Sequence, residues 1–387
     1  MAVNDHPARP LQVIIAGGGI AGLTAAIALR RAGHDVHVHE RAPQLSAVGA
    51  GITLWPNAIK ALRTLDLAEA VIAAGTRVGS ASILTSNGRL LGRSDLSSLE
   101  EKVGEPTIAI HRADLLAVLR KDLEQSAISL ASEFLSYDET GLGVLVRFAD
   151  GSSRSSDILV GADGIHSAVR GQLLPGVSLR DSGYAAWRGV VGEGGIQRST
   201  SESWGCGSRF GIVPLGNNRT YWFATINTAP TTIDDPMKRK AAMEAAFAGW
   251  HEPIPAIVRA TDPRSILYNH IFDAEPLPRW HSRRVILIGD AVHPTTPNMG
   301  QGGGMAIESA VVLGRCLSEK LPVSDAFEEF VRRRKQRTAW ITGQSWRIGR
   351  LGQIGNPVLC GLRNGIIRAT PRSMMDKQLM TAATFSI

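Results

Sequence analysis

Glycines and one carboxylate carry the first recognisable chemistry in this chain. Gly17, Gly19 and Gly22 stand as G-x-G-x-x-G directly after the apolar run at residues 13–16, and Glu40 follows 23 positions after Gly17. Gly17 allows a sharp turn out of a strand. Gly19 offers no side chain to an approaching pyrophosphate, and Gly22 lets a helix pack close to a sheet. Ala21 stands in the same turn. The free N–H groups and positive dipole end of the helix that follows then face the phosphates. A carboxylate at the position of Glu40 bonds ribose hydroxyls and suits an unphosphorylated ribose. FAD or NAD therefore fits better than NADP, and the fingerprint does not choose between these two.

Two later acids stand in comparable places. Residues 158–161 form a buried-strand pattern ending in Asp163-Gly164, and residues 285–288 form another ending in Gly289-Asp290. A carboxylate at the C-terminal edge of such a strand lies where open α/β sheets bind ligands. After Asp290 comes a proline-rich loop, then Gly300, Gln301, Gly302, Gly303 and Gly304, then a long helix expected from Met305. His293, in that loop, could act as a general base. The favoured reading is a loop histidine held by backbone hydrogen bonds.

These residues need a frame. A strand at 13–16, a helix at 23–31 stopped by Gly33 and a strand at 36–38 make one strand–helix–strand unit. Residues 43–55 read as a loop of small residues and a helix begins at Pro56. A hairpin spans 81–92 around Asn87-Gly88, and a helix opens at His111-Arg112. Residues 127–150 alternate like strands. Residues 184–224 are β-rich, with a turn at Gly216, Asn217 and Asn218, and residues 237–260 look helical. A further helix begins near Ser324, and a weakly patterned tail follows Asn356. The strand at 285–288 completes the first unit from more than 240 residues away. The fold class is α/β: a Rossmann-like nucleotide-binding domain with an inserted β-sheet substrate domain and C-terminal helices.

Composition bounds the alternatives. The chain has 387 residues, enough for two domains or one large intertwined unit, and 44% of them are hydrophobic. No window reaches the length of a membrane span, and residues 1–12 lack the apolar core of a secretory signal, so a cytoplasmic protein is expected, with its first ten residues frayed. Cys206, Cys316 and Cys360 are widely spaced, which suits a reducing compartment and argues against a disulfide framework or a metal site. The net charge is +7, but the basic residues are scattered. The one dense run, residues 332–337, reads as a solvated helix face and not as a nucleic-acid site.

Three ordered motifs resemble a known family. They are Gly17-x-Gly19-x-x-Gly22 with Glu40, the stretch from Asp157 through Asp163 to Arg170, and the stretch from Gly289-Asp290 through His293 and Pro297 to Gly302. Together, over residues 11–345, they resemble the class A flavin-dependent aromatic hydroxylases, the para-hydroxybenzoate hydroxylase family. The resemblance implies bound FAD, transient NADH or NADPH, O₂ as co-substrate and no metal. The ring is hydroxylated by a flavin hydroperoxide, and the protein binds, orients and excludes water. It implies roles as well. Glu40 bonds the adenosine ribose with Arg41 beside it, and Thr53 meets the cofactor from the loop after the second strand. Arg112 reaches the phosphates or ribityl chain, although a surface arginine at a helix start is the simpler alternative. Asp163 serves FAD and the nicotinamide, Asp290 bonds the ribityl chain, and the backbone of residues 300–304 lies beside the isoalloxazine. The corresponding division is FAD-binding at 1–75, 106–180 and 281–345, a substrate-domain hairpin at 76–105, a substrate-binding sheet at 181–280 and a helical segment at 346–387.

The substrate is expected between the flavin and the sheet, where Arg209 and Tyr221 lie on neighbouring strands. An arginine there can bind an anionic ring or stabilise a phenolate-like transition state; packing within the sheet is the plain alternative for both. Asn298 can donate or accept. Trp55, Trp187 and Trp222 read as pocket wall or core. The pairing of Arg209 and Tyr221 resembles the urate hydroxylase branch, but that branch carries an aspartate where Asn298 stands and a cysteine in the run where Gly303 and Gly304 stand. The expected substrate is a small aromatic or heteroaromatic anion, phenolic or purine, taken by a monomer or homodimer that binds no nucleic acid and spans no membrane. An alkene epoxidase of the same family, a non-oxygenating flavin reductase and a binding protein with decayed chemistry are the other readings.

Overall fold

A computed structural model describes residues 9–44, 50–192, 200–229, 231–319 and 321–385. Most of the N-terminus expected to be frayed, part of the loop expected at 43–55 and residues 193–199 of the stretch expected to be β-rich lie outside the described residues.

The three separated motifs meet in one parallel sheet. Its strand order is Val285–Leu287, Ile158–Gly161, Gln12–Ala16, Asp35–His39 and Ile128–Ser129. Val160 pairs with Ile15 on one side and Ile286 on the other. The central strands are apolar because they are covered on both faces, as parallel sheets are. Helices Ile20–Arg31 and Gly302–Ser318 pack against each other through small residues. A methyl added at Gly314 would sit 2.8 Å from Ala28 Cβ. The alternating segment expected at 127–150 supplies strands Phe134–Glu139 and Val144–Phe148. With Ser153–Ser156 they form an antiparallel sheet whose Phe148 ring stacks 4.0 Å from His39.

The second large sheet has seven strands: Leu267–Asp273, Arg180–Val191, Thr220–Asn227, Ser208–Pro214, Thr200–Trp204, Ser80–Thr85 and Leu90–Asp95. The early hairpin thus joins the late β-rich stretch. Alternation divides its two faces. Trp187, Phe210, Ile212, Trp222 and Ala224 bury one face under helices Pro236–Phe247 and Ile254–Ala260. Arg188, Arg209, Tyr221, Phe223 and Thr225 lie on the other, in the register that pairs Arg209 with Thr225 and Arg188 with Phe223.

Four details differ from the sequence reading. Residues 237–260 form two helices, because Pro253 and Pro255 interrupt the pattern after Phe247. The helix expected from Met305 starts at Gly302, with Gln301 at its N-cap. The tail after Asn356 holds helices Pro357–Ala369 and Arg372–Ala383. The basic run lies on helix Val323–Gly352, but it is not simply solvated. Arg334 is 1% exposed, and it and Arg337 pair with Glu308, which is fully buried. Among the described residues no helix is long and apolar enough to cross a membrane.

Candidate active site

The glycine fingerprint has the geometry its spacing asks for. Gly17 has φ +106°, and a methyl there would strike the Ala162 carbonyl oxygen at 2.4 Å. A methyl on Gly22 would lie 1.9 Å from the Gly17 carbonyl oxygen. Both glycines are required by the protein's own packing. Gly19 differs, because a methyl there meets nothing within 4 Å, so the space beside it is open. Helix Ile20–Arg31 has no side-chain cap and no acid in its first turn, which leaves its N–H groups for an anion. Glu40 accepts from Gly18 N–H at 2.6 Å and Ala42 N–H at 2.9 Å. A carboxylate keeps further lone pairs for ribose hydroxyls. Arg41 is exposed beside it.

The late motif closes onto the same place. Gly289 has φ +61°, and a methyl on it would approach Ala21 Cβ to 2.7 Å. Asp290 follows on a short turn, Gly289–Ala291. Its side chain is exposed, yet the surrounding protein is dense, and desolvation pushes its carboxyl up to about 6 against the pull of Arg112 and then Arg170. Arg112 opens helix Arg112–Lys121. Arg170 is buried and donates to the Ala291 carbonyl oxygen at 3.1 Å, tying the second motif to the third. Asp163 is occupied differently from expectation. It accepts from Ser167 Oγ at 2.5 Å and from the N–H groups of Ala168 and Val169, so it caps helix Ala168–Leu173.

Gly300 is left-handed, with φ +62°, and a methyl there would meet Trp55 Nε1 at 3.3 Å. Trp55 therefore belongs to this wall, whereas Trp187 and Trp222 belong to the apolar core behind the sheet. Gly302 and Gly303 lie in the first turn of the late helix, which also lacks a side-chain cap and a first-turn acid. A methyl on Gly303 would lie 3.2 Å from Ile52 and 3.8 Å from Ile20, so the two helix starts converge. Gly304 faces Asn57. The Gln301 side chain is buried and accepts from Asn57 Nδ2 at 2.9 Å, which leaves only its backbone to face a ligand. Thr53 lies on strand Gly51–Leu54, paired with Ala109, and not in a loop.

Arg209 and Asn298 are brought into direct contact. Arg209 is 2% exposed; its Nη2 donates to Asn298 Oδ1 at 2.6 Å, its Nη1 to Glu202 at 3.1 Å and its Nε to Gln353 Oε1 at 2.9 Å. Asn298 Nδ2 donates to Thr296 Oγ1, to the Ser345 carbonyl oxygen and to the Tyr184 hydroxyl. Tyr221 lies on the same face but four residue pairs further along. It packs on Gly51, and its hydroxyl is hydrogen-bonded to Arg188. Burial pushes that phenol up, so Tyr221 stays protonated. Tyr184, Glu202, Arg188 and Gln353 were not anticipated. Gln353, more than 140 positions from Arg209, left no local signal. Glu202 lies on the neighbouring strand diagonal to Arg209, whose directly paired residue is Trp204, and diagonal cross-strand pairing could have suggested it.

His293 is 6% exposed, packs against Trp280 and bonds Ser309 Oγ at 3.0 Å through Nε2. Burial and the neighbouring Arg334 push its ring down to about 3. The ring therefore stays neutral, and its side-chain partner is Ser309.

Residues 10–343 match the FAD binding domain family. The chain belongs to this family. Among its relatives are the aurachin C monooxygenase/isomerase of Stigmatella aurantiaca, 43% identical over 95% of this chain and 96% of the relative, and the 2-heptyl-3-hydroxy-4(1H)-quinolone synthase of Pseudomonas aeruginosa, 33% identical over 96% and 98%. The FAD-dependent urate hydroxylase of Klebsiella pneumoniae is 32% identical over 84% and 86%. The crystal structure of K. pneumoniae HpxO complexed with FAD and uric acid superposes with a TM-score of 0.91, at 27% identity over 96% of each chain. This member of the FAD-binding family is a flavoprotein monooxygenase. The open space at Gly19 and the two uncapped helix starts fit the anionic pyrophosphate and ring edge of FAD. Glu40 fits its ribose. Among the described residues no cluster of histidine, cysteine, aspartate or glutamate could hold a metal.

Proposed function

We propose that this enzyme inserts one oxygen atom into a planar N-heteroaromatic ring of the quinolone type, using FAD, NADH or NADPH, and O₂. One observation carries the reading. The Arg209–Asn298 bond seals the Arg209 face of the seven-stranded sheet against the loop that leads into Gly300. A ring held on that face lies beside the uncapped start of helix Gly302–Ser318. In this reading residues 1–75, 106–180 and 281–345 carry the cofactor, and residues 76–105 and 181–280 carry the substrate face.

FAD, when bound, supplies the redox chemistry that activates oxygen. The chain's own residues do the rest. Glu40, Gly19 and the start of helix Ile20–Arg31 hold the adenosine and pyrophosphate. Asp290 and Arg112 face the ribityl chain, and the N–H groups at Gly302 and Gly303 stabilise negative charge on the flavin edge. Phe223, Tyr221 and Trp204 line an apolar face that excludes water. Arg209 has more N–H bonds than its three protein partners use, so it can also donate to a ring carbonyl. Glu202 already compensates its charge, which favours a neutral ring carbonyl over a full anion. Urate as the specific substrate has less support, because Asn298 holds both of its amide atoms in protein bonds and no carboxylate stands there. One glycine fingerprint, occupied by FAD, leaves the nicotinamide cofactor to dock transiently.

The test is a screen of 2-alkyl-4-quinolones, urate, salicylate and hydroxybenzoates for accelerated NADH and NADPH oxidation, with mass analysis of the products. A quinolone that gains one oxygen in step with cofactor use is expected. Coupled turnover with urate alone, or oxidation that yields only peroxide with every ring, overturns the assignment.

A further inference from the structure

The C-terminal helices carry a surface that the chemistry above does not use. Leu351, Val358, Leu359, Leu362, Ile366 and Met374 are between 43% and 79% exposed. Helix Pro357–Ala369 is inverted relative to a surface helix of a globular protein. Its inner face buries Cys360 and Arg363, whose guanidinium donates to the carbonyl oxygens of Gly205 and Gly352. Its outer face presents Val358, Leu362 and Ile366 at four-residue spacing. Gly361 and Gly365 lie between them, where an added methyl meets nothing within 4 Å. A contiguous apolar surface of this kind marks an interaction site.

Charge indicates the partner. Residues 346–387 contain six Lys and Arg and one Asp, so they supply five of the chain's seven net positive charges. Arg347, Arg350, Arg368 and Lys377 are exposed and flank the apolar residues, and none has a carboxylate partner among the described residues. Apolar side chains rimmed by unpaired cations suit the headgroup layer of an anionic bilayer, where the helix lies in the plane of the interface. A second copy of this chain would set the same cations against themselves.

We propose that helix Pro357–Ala369 and its basic rim dock this enzyme on the surface of anionic membranes without spanning them. The helix starts four residues after Gln353, which holds Arg209, so docking sets the substrate face close to the lipid. The proposal rests on the surface alone and stands whichever ring the enzyme oxidises.

The test is flotation of the FAD-loaded full chain with phosphatidylcholine vesicles, with and without phosphatidylglycerol. Binding is expected only with phosphatidylglycerol, weakening as salt rises. The doubly substituted L362E/I366E chain should lose it on the order of tenfold or more, with flavin occupancy and oxidation of a water-soluble ring unchanged. Absence of binding, equal binding to both vesicle types, or binding that survives L362E/I366E overturns the proposal. So does a concentration-dependent dimer that L362E/I366E abolishes, which would assign the patch to self-association.

Discussion

Arg209 Nη2 and Asn298 Oδ1 lie 2.6 Å apart and join two segments that are 89 residues apart in sequence. One belongs to the sheet, the other to the loop that feeds the late glycines. Replacing Arg209 with Lys keeps the charge but supplies a point donor in place of a fork. Glu202, Gln353 and Asn298 cannot all be satisfied by one ammonium. We expect Arg209→Lys to lower stability by about 1–3 kcal/mol and kcat/KM by on the order of tenfold or more. Urea unfolding and steady-state kinetics measure the two separately. A kcat/KM within twofold of wild type would remove Arg209 from the substrate face.

Gly19 and Gly22 separate cofactor binding from folding. Gly22 touches the Gly17 carbonyl oxygen, whereas Gly19 borders empty space. Gly19→Val should leave the circular dichroism spectrum unchanged and weaken FAD binding on the order of tenfold or more, because the added side chain occupies the pyrophosphate's approach. Gly22→Val should disturb the fold itself. Fluorescence titration with FAD beside thermal unfolding distinguishes them. Wild-type FAD affinity in Gly19→Val would show that the pyrophosphate lies elsewhere.

Glu308 anchors the buried end of the basic run. Burial favours its protonated form, but Arg334, Arg337 and the Asn57 amide overcome this and hold the carboxyl below its usual range. Glu308→Gln keeps the shape and removes the charge, which leaves Arg334 buried without a counter-ion. The expected loss is about 3–5 kcal/mol, read as a lower urea midpoint. An unchanged midpoint would mean that Arg334 finds another partner.

Most of the parallel sheet was legible because its buried strands run into a glycine at Gly17, an acid at Glu40, or both at Asp163-Gly164 and Gly289-Asp290, and those signals are local. The role of Gly22 follows from local packing on the Gly17 carbonyl oxygen, whereas Gly17 is required both by its positive φ and by Ala162, which only the folded sheet brings near. Side-chain destinations were less legible. Asp163 reads as a ligand-edge acid, but it has a serine and two N–H groups within six residues and caps its own helix. Arg334 looks solvated because its counter-charge, Glu308, is on a helix it meets only in three dimensions. Thr53 looked like a loop residue because the four-residue strand Gly51–Leu54 exists only by pairing with Ile108–His111.

Acid sensitivity should begin near pH 6.5. His39 is buried against Phe148 and His293 against Trp280, and desolvation lowers both rings from 6.5 to about 3. His34 and His37 are lowered too, again by burial first. Below pH 6.5 the unfolded chain takes up protons that the folded chain refuses, so stability falls as pH falls toward 3. Each of His39 and His293 contributes at most about 1.4 kcal/mol per pH unit. Asp290 acts in the opposite sense between about 6 and 3.8, since its folded carboxyl binds a proton first. Its exposure makes that offset smaller. Urea unfolding at saturating FAD should therefore show a clear loss of stability from pH 7 to pH 5, and His293→Gln should flatten the slope whatever it costs at pH 7. A wild-type stability that is level across this range would mean that neither ring stays neutral in the fold.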